Sequence, residues 1–164
     1  MYLPAFHRED DLQKQHALIR ARPLGLLISN GPGGLMANAA PCLLRAAAAL
    51  PGTLALHLAR ANPQWRELEQ ASETLCIFQD ADAYVSPSWY PSKHETGKAV
   101  PTWNYAAVHV YGRARVIHDR DWLRALVTEL TDAHEAGRAE PWKVTDAPAA
   151  YIDAMLGAIV GVEI

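Results

Sequence analysis

The sequence has few cysteines and no long apolar segment. Its 164 residues include two cysteines, Cys42 and Cys76, and each lies within an apolar run. Two cysteines this far apart do not match the ligand spacing of a zinc site, so we expect buried, reduced thiols. No apolar run approaches the ~20 residues of a membrane-spanning helix, and the N-terminus lacks the basic and apolar regions of a secretory signal. We therefore expect a cytoplasmic protein without membrane contact.

An excess of charge of one sign is also missing. The chain has 15 Lys and Arg against 18 Asp and Glu, a formal net charge of −3. This balance argues against a protein held on nucleic acid or on an anionic membrane by its overall charge. DNA binding would need a local patch, such as Arg113 and Arg115. With 50% hydrophobic residues, the composition excludes a disordered chain.

Motifs of several enzyme classes are absent. The seven histidines show no His-x-x-x-His spacing, which makes a protein-only metal site improbable. There is no Gly-x-Ser-x-Gly elbow, and Gly31-Pro32-Gly33-Gly34 belongs to a hairpin rather than to the start of a helix. The residues therefore identify neither a nucleophile nor a dinucleotide cradle.

Residue patterns predict a mainly β fold with peripheral helices. Short turns between strands, with helices outside them, favour a small antiparallel barrel. Residues 45–52 predict a helical turn or a loop, and 87–101 predict a long loop. Helices are expected at 9–21, 63–70, 119–135 and 146–157, the last with Asp146 as cap and with Tyr151, Ile152, Met155 and Leu156 inward. Strands are expected at 24–30, 35–44, 53–59, 74–79, 82–86, 102–117 and 159–164.

The segment 102–117 reads as one long strand with two different faces. Its even-numbered positions are mostly small and apolar and are expected to face the core. Trp103 and Tyr105 lie on the other face, where they would meet a partner subunit or a ligand between subunits. The alternative is that they pack under a loop or helix of the same chain.

Polar side chains gather at 57–65, where a strand ends and a helix begins. The free N–H groups of a helix N-terminus favour an anion. Arg60 adds a planar, two-pronged donor suited to phosphate. Asn62 is able to cap the helix and still offer a donor. The alternative is an ordinary cap beside a solvated arginine.

The stretch 86–98 combines hydroxyl groups, two lysines and two aromatic side chains. A loop of this composition could surround a flat, partly anionic ligand, with rings stacked on it and cations near its phosphate. The alternative is a solvated loop whose aromatic side chains are held against the barrel.

Several of these segments resemble the PaiB family of FMN-binding negative transcriptional regulators. The resemblance covers nearly the whole chain and implies a six-stranded antiparallel split β-barrel, related to pyridoxamine phosphate oxidase. Its most specific motif is Pro101-Thr102-Trp103-Asn104-Tyr105. The other matching segments are Ser86-Pro87-Ser88-Trp89-Tyr90, His57-Leu58-Ala59-Arg60-Ala61-Asn62-Pro63-Gln64-Trp65, Tyr111-Gly112-Arg113, residues 159–164 and the opening Met1-Tyr2-Leu3-Pro4.

The resemblance implies one domain over 1–164, with FMN held between the subunits of a homodimer. By analogy, Arg60 and Asn62 lie near the phosphate, and Asn38 lines the ribityl or ring region. The family usually continues beyond the final strand, and we expect the chain to lack that extension. Where the family often has Asn-His, residues 38–41 read Asn-Ala-Ala-Pro, so a donor is expected to be missing. The other implied cofactor-binding residues are His57, Ser88, Lys93, Pro101, Thr102 and Trp103.

Three functions remain open at this point. The first is a flavin-binding transcriptional regulator or sensor. The second is a flavin-dependent oxidoreductase or flavin reductase, in which the flavin performs the hydride chemistry and the protein positions the substrate. The third is a haem-binding split-barrel protein with His57 or His109 as the ligand.

Overall fold

Antiparallel strands dominate the computed structural model, which describes residues 1–47 and 50–164. Single turns of 3-10 helix occur at Ala5–His7, Pro87–Trp89 and Val144–Asp146. The helices are α1 (Leu12–Ala21), α2 (Gln64–Gln70), α3 (Pro91–Thr96), α4 (Arg120–Glu135) and α5 (Ala149–Gly157). The strands are β1 (Leu24–Gly31), β2 (Gly34–Pro41), β3 (Leu43–Ala47), β4 (Leu50–Ala59), β5 (Thr74–Gln79), β6 (Ala83–Val85), β7 (Thr102–Asn104), β8 (Ala107–Gly112), β9 (Arg115–Ile117) and β10 (Ile159–Glu163).

Two open, four-stranded sheets form the body of the molecule. Sheet I has the order β2-β1-β5-β8, and sheet II has the order β3-β4-β10-β9. Two bent stretches pass from one sheet to the other, at 34–47 and at 107–117. When each bent stretch is counted once, the two sheets contain six strands. The expected mainly β split barrel is confirmed, and β6 and β7 form a separate two-stranded ribbon.

Apolar side chains fill the space between the two sheets. Sheet I contributes Leu27, Cys76 and Phe78, all fully buried, while α1 adds Ile19 and α2 adds Leu68. Complete burial of a side chain of this size stabilises the fold by about 1.5–3 kcal/mol. From sheet II the core takes Leu54, Leu56, Leu58 and Val162.

Helix α4 covers the outer face of sheet II. Leu126 and Leu130 pack on Ala55 of β4. In the first turn of the helix, the Trp122 ring lies so close to Gly161 of β10 that a Cβ at this glycine would come within 2.3 Å of it. Only glycine therefore allows this approach between helix and strand.

The outer face of sheet I is apolar and exposed. In the strand register, one row across this face runs Ala37, Ile28, Leu75, Tyr111, and the next row runs Ala39, Leu26, Ile77, His109. Side chains directly opposite each other on paired strands share a face. The exposed fractions are 63% for Leu24, 41% for Leu26, 78% for Leu35 and 52% for Tyr111.

The structure confirms the helices expected at 9–21, 63–70 and 119–135, with small differences at their ends. The last helix starts later than expected. Asp146 does not cap it, because Asp146 ends a 3-10 turn and the extended Ala147-Pro148 pair follows. The expectation that Tyr151 and Met155 face inward is wrong, since they are 56% and 45% exposed.

The expectation of one continuous strand over 102–117 is also wrong. This stretch forms β7, β8 and β9, which pair with β6, β5 and β10 respectively. Val108, Val110 and Val116 pack against the core as expected. Residues 102–106 are exposed instead, because β7 belongs to the separate ribbon.

Two segments expected to lack regular strands or helices have them. Within 87–101, Pro91 opens α3, and Gly97 closes it with φ at 69°. Within 45–52, Arg45 to Ala47 belong to β3 and Leu50 to Gly52 belong to β4, so a helical turn or loop is wrong for these residues. The rest of that expectation, at Ala48 and Ala49, lies outside the described residues.

Candidate functional site

A buried glutamine links two of the candidate cofactor-binding residues. Gln64, the first residue of α2, is 0% exposed. Its Oε1 accepts a hydrogen bond from Nδ2 of Asn38 on β2, at 2.9 Å. Its backbone N–H donates to Oδ1 of Asn62 at 3.0 Å, so Asn62 caps the helix as expected. The fold thus brings Asn38 and Asn62 to two sides of one residue.

The same glutamine ties α2 to sheet I. Its Nε2 lies 3.0 Å from the Leu27 carbonyl oxygen, 3.3 Å from Ser29 Oγ and 3.4 Å from the Met36 carbonyl oxygen. Ser29 Oγ donates in turn to Glu67 Oε2 at 3.0 Å. Buried polar atoms need such partners, because an unpaired one loses its bonds to water without compensation. The start of α2 is therefore held by side-chain bonds to β1 and β2.

Arg60 lies where β4 leads into α2, and its guanidinium contacts backbone carbonyls. Its Nε donates to the Gly157 oxygen at 2.9 Å, and its Nη2 donates to the Ile159 oxygen at 2.8 Å. A cation is favourable at a helix C-terminus, so Arg60 stabilises the junction between α5 and β10. These bonds use two of the five N–H groups of the side chain, which leaves donors for a further ligand.

His57 and His109 lie on the outer faces of different sheets. His57 is opposite Gly161 in sheet II, and His109 is opposite Ile77 in sheet I. Among the described residues, neither buried Nδ1 atom has a hydrogen-bond partner. Burial lowers the pKa of His57, and burial together with the amine of Met1 lowers the pKa of His109. Both imidazoles are therefore neutral at pH 7.

The remaining candidates lie on residues 83–104, here termed the aromatic arm. It consists of β6, the following 3-10 turn, α3 and β7. Lys93 Nζ donates to Ser88 Oγ at 2.9 Å, which brings these two candidates together. The Trp103 ring lies edge-on to Tyr84, with centroids 6.0 Å apart. All candidates on the arm are exposed: Ser88, Lys93, Pro101, Thr102 and Trp103.

Within residues 1–47 and 50–164 of one copy, these side chains do not enclose a flavin-sized ligand. Among the described residues, no hydrogen bond joins the aromatic arm to Asn38, Arg60 or Asn62. A cavity of about 140 Å³ between Ser29 and Tyr111 is smaller than the ~300–1,000 Å³ typical of ligand pockets. A groove of about 460 Å³ is lined by α4 alone. Neither space includes a candidate cofactor-binding residue.

The donor chemistry nevertheless suits a phosphorylated flavin. Arg60 and Lys93 supply cations, and Asn38 and Asn62 supply amides, which are groups that bind phosphate and hydroxyl oxygens. Trp103 supplies an exposed ring, 60% accessible, for a flat aromatic ligand. The residue types therefore fit FMN, although they come from two separate places on the surface.

Other kinds of site were sought in the part of the chain that the structure describes. There, no group of three or more His, Cys, Asp or Glu side chains is placed to hold a metal ion. None of the described helices has the length and apolar character needed to cross a bilayer. Of the two arginines considered for a local basic patch, Arg115 is paired with Glu163, so Arg113 alone would not make such a patch.

Residue patterns alone did not point to Gln64, Ser29 or Glu67. Two signals could have identified Ser29 and Gln64, whereas none pointed to Glu67. Ser29 is a polar residue in the apolar run 24–30, and Gln64 follows Asn62 by two residues at a helix start. Polar residues at such positions need partners when they are buried.

The family model that matches this chain names one cofactor, FMN. Residues 1–164 match the family model described as "Putative FMN-binding domain".

Three individual proteins are also similar in sequence. The chain is 37% identical over 108 residues to the protease synthase and sporulation protein PAI 2 of Bacillus subtilis, a match that covers 66% of this chain and 49% of that protein. An uncharacterized protein of Saccharomyces cerevisiae is 49% identical over 88 residues, covering 53% of this chain and 52% of its own length. An uncharacterized protein of Emericella nidulans is 32% identical over 199 residues, covering all of this chain and 79% of its own length. The chain thus spans about half the length of the yeast and Bacillus relatives.

Solved structures of similar shape agree on the fold. The flavocytochrome Anf3 of Azotobacter vinelandii superposes with a TM-score of 0.68 at 16% identity, over 99% of this chain and 68% of that one. A Clostridium acetobutylicum protein described as of the pyridoxinephosphate oxidase family superposes with a TM-score of 0.53 at 13% identity, over 93% and 80% of the two chains. At these identities the likeness establishes the architecture alone.

Proposed function

This chain belongs to the FMN-binding domain family, and from that premise we propose that it is a homodimeric, PaiB-like flavoprotein that acts as a flavin-dependent sensor in regulation. FMN is its cofactor, and a cytoplasmic location remains part of the proposal. The observation that carries the proposal is the network around Gln64, which joins Asn38 to the Asn62-capped turn beside Arg60.

The apolar outer face of sheet I supports a dimer. Leu24, Leu26, Leu35 and Tyr111 expose large side chains there. Contiguous apolar surface of this kind marks an interaction site. A two-fold axis would set this face against the same face of a second copy, because isologous interfaces use one patch twice.

The second copy would also complete the cofactor site. Arg60 and Asn62 would hold the phosphate, and Asn38 would contact the ribityl chain or the ring. His57 stays a candidate through the family resemblance, although it lies on the outer face of sheet II. From the partner subunit, the aromatic arm would bring Ser88, Lys93 and the stretch 101–103 over the flavin. Bound FMN supplies hydride and electron transfer, while these residues bind it, orient it and limit its contact with water.

Regulation through the state of the flavin fits this chain better than direct DNA contact. The formal charge is −3, and the pairing of Arg115 with Glu163 weakens the basic patch. A flavin reductase is the alternative, because a flavin at an open interface could meet a second substrate. Bleaching of the bound flavin near ~450 nm by NAD(P)H would favour the reductase. An unbleached flavin together with salt-sensitive DNA binding would favour a direct repressor.

The first test is the visible spectrum of the purified protein before and after FMN is added.

The second test is a fluorescence titration with FMN. We expect tight binding by the wild type and about 10- to 100-fold weaker binding by Arg60→Ala, since a hydrogen bond to a charged group is worth ~1.5–3 kcal/mol. Arg113→Ala, an exposed arginine on the β8–β9 connection, is the matched control and should bind normally. Thermal melts are needed beside the titration, because Arg60 also bonds the Gly157 and Ile159 carbonyls. Absence of FMN binding by the wild-type protein would refute the proposed function.

A further inference from the structure

The orientation of the buried Gln64 amide is dictated by its neighbours. Two of the three acceptors around Nε2 are the backbone carbonyls of Leu27 and Met36. A carbonyl oxygen accepts and never donates, so the nitrogen end of the amide must face these two atoms. The oxygen end then faces Asn38. A flipped amide would set its one oxygen against two carbonyl oxygens in a fully buried place.

This arrangement also determines which way the Asn38 amide points. Because Gln64 Oε1 only accepts, Asn38 must present its nitrogen to it, at 2.9 Å. Among the described residues, Asn38 Oδ1 takes part in no hydrogen bond. Asn38 therefore keeps its oxygen, an acceptor, for a ligand.

The backbone of Gln64 has the opposite effect on Asn62. The N–H of Gln64 occupies Asn62 Oδ1 at 3.0 Å. The polar group that Asn62 keeps for a ligand is therefore its NH₂, which donates. One residue thus leaves an acceptor on β2 and a donor at the start of α2.

We infer that Gln64 is a positioning residue that sets this order of donor and acceptor for the flavin. The inference rests on the proposed function, in which Asn62 lies near the phosphate and Asn38 near the ribityl chain or ring. A donor suits the phosphate oxygens, which only accept. An acceptor suits the hydroxyl or ring N–H groups on the other part of the cofactor. Gln64 itself is fully buried and acts through the two asparagines.

A double-mutant cycle on FMN affinity tests this role. Gln64→Met keeps the length of the side chain but removes the amide, so the Asn38 amide is free to turn. We expect FMN to bind about tenfold more weakly, the loss of roughly one oriented hydrogen bond. In the Asn38→Ala background the same substitution should change the affinity less than about twofold, because the group that Gln64 orients is already gone.

Thr74→Val is the matched control. Thr74 is also buried in sheet I, and its Oγ1 donates to the Ile28 carbonyl oxygen at 2.6 Å. Its loss should lower the melting temperature of the protein while leaving FMN affinity unchanged. If Thr74→Val weakens FMN binding as much as Gln64→Met does, the effect comes from stability and the inference is wrong.

The remaining outcomes are separable. Equal loss of affinity from Gln64→Met with and without Asn38 would overturn the positioning role while leaving the flavin proposal intact. A wild-type protein that does not bind FMN would overturn both. If Gln64→Met does not fold, Gln64→Asn enters the same cycle, because its shorter amide cannot hold the Leu27 carbonyl and reach Asn38 together.

Discussion

The reactivity of a side chain depends on how deeply the fold buries it and on its neighbours there. Cys42 and Cys76 are 3% and 0% exposed, with their sulfur atoms 4.0 Å apart. The hydrogen bond with Cys42, reinforced by burial, raises the pKa of the Cys76 thiol. Since the thiolate is the nucleophilic form, the raised pKa makes the Cys76 thiol unreactive. Both cysteines are free and buried, which confirms the sequence prediction.

Buried histidine predicts how stability depends on pH. Burial lowers the pKa of His57, so the unfolded chain takes up a proton more readily than the folded one. The contribution of this lowered pKa to the free energy of unfolding is therefore fully present above the unfolded pKa of about 6.5. It is lost as the pH falls below that value. In urea unfolding of the flavin-free protein between pH 5 and 8, the free energy of unfolding of His57→Gln should depend less steeply on pH than that of the wild type. His109 shifts in the same direction and should account for part of the remaining slope.

The control for that experiment is His94→Gln, at an exposed position on α3. It should leave the pH dependence as it is in the wild type. If the free energy of unfolding of His57→Gln depends on pH as steeply as that of the wild type, folding does not lower the pKa of His57.

At the scale of elements, contacts of two kinds hold α4 on sheet II. The Trp122 ring fills the place that a side chain at Gly161 would occupy. At the edge of the sheet, Arg45 contacts Glu129 of α4 at 2.9 Å and Glu163 of β10 at 3.4 Å. The guanidinium carbon of Arg45 also lies 5.4 Å from the Trp122 ring centroid. Apolar packing therefore sets the distance between α4 and sheet II. The ion pairs of Arg45 with Glu129 and Glu163 connect the helix to the strands beside this contact.

Gly161→Ala should consequently lower the free energy of unfolding of the protein. The added methyl group would lie 2.3 Å from the Trp122 ring, so α4 or the ring must move. Overpacking of this kind costs about 1–3 kcal/mol, measured as the change in the free energy of unfolding in urea. Gly137→Ala is the control, because a Cβ there meets no described atom within 4 Å. Equal stability of the two variants would contradict the packing described for Trp122.

At the scale of the whole molecule, the two sheets differ in what covers them. Helix α4 packs on sheet II, whereas the outer face of sheet I exposes Leu24, Leu26, Leu35 and Tyr111. The aromatic arm exposes further rings at Trp89 and Trp103. The proposed dimer would cover the face of sheet I and join the two groups of candidate residues that one copy keeps apart.

Leu26→Asp tests the proposed interface. Leu26 is 41% exposed at the centre of the face, so the isolated chain should tolerate the carboxylate. Facing its own copy across a two-fold axis, the charge would be buried without a partner, which is costly. Light scattering should report a dimer for the wild type and a monomer for Leu26→Asp, with weaker FMN binding. Tyr151→Asp, on the exposed side of α5, should remain dimeric. A wild-type monomer at micromolar concentration would remove the dimer from the proposal.

Mixed dimers test whether the aromatic arm acts across the interface. Arg60→Ala and Trp103→Ala would each impair FMN binding alone. If the arm reaches the partner subunit, a mixed dimer holds one intact site and one doubly altered site. Refolding an equal mixture should then restore about a quarter of the sites in a two-fold assembly. If the arm serves its own copy, both sites of the mixed dimer remain impaired and no binding returns.

Features that depend on local chemistry were predictable from the residues alone. The Asp119 side chain caps α4 through the Trp122 N–H at 2.7 Å, and the Gly31 to Gly34 turn closes the β1–β2 hairpin. Residues sharing one helical face located α1 and α4, the Asn62-Pro63 pair located α2, and the resemblance to the PaiB family indicated the split barrel and its cofactor. These signals lie within a few residues of one another, so they are readable without knowing the partner of any strand.

Features that depend on partners distant in the chain could be read only from the folded protein. Alternating residues continue from 102 to 117, but the pattern does not state that β7, β8 and β9 pair with three different strands. Arg60 finds carbonyl acceptors about a hundred residues away, and Gln64 connects β1 to β2. A side chain's periodicity reports which face it lies on, whereas its hydrogen-bond partners depend on how separate elements meet in space.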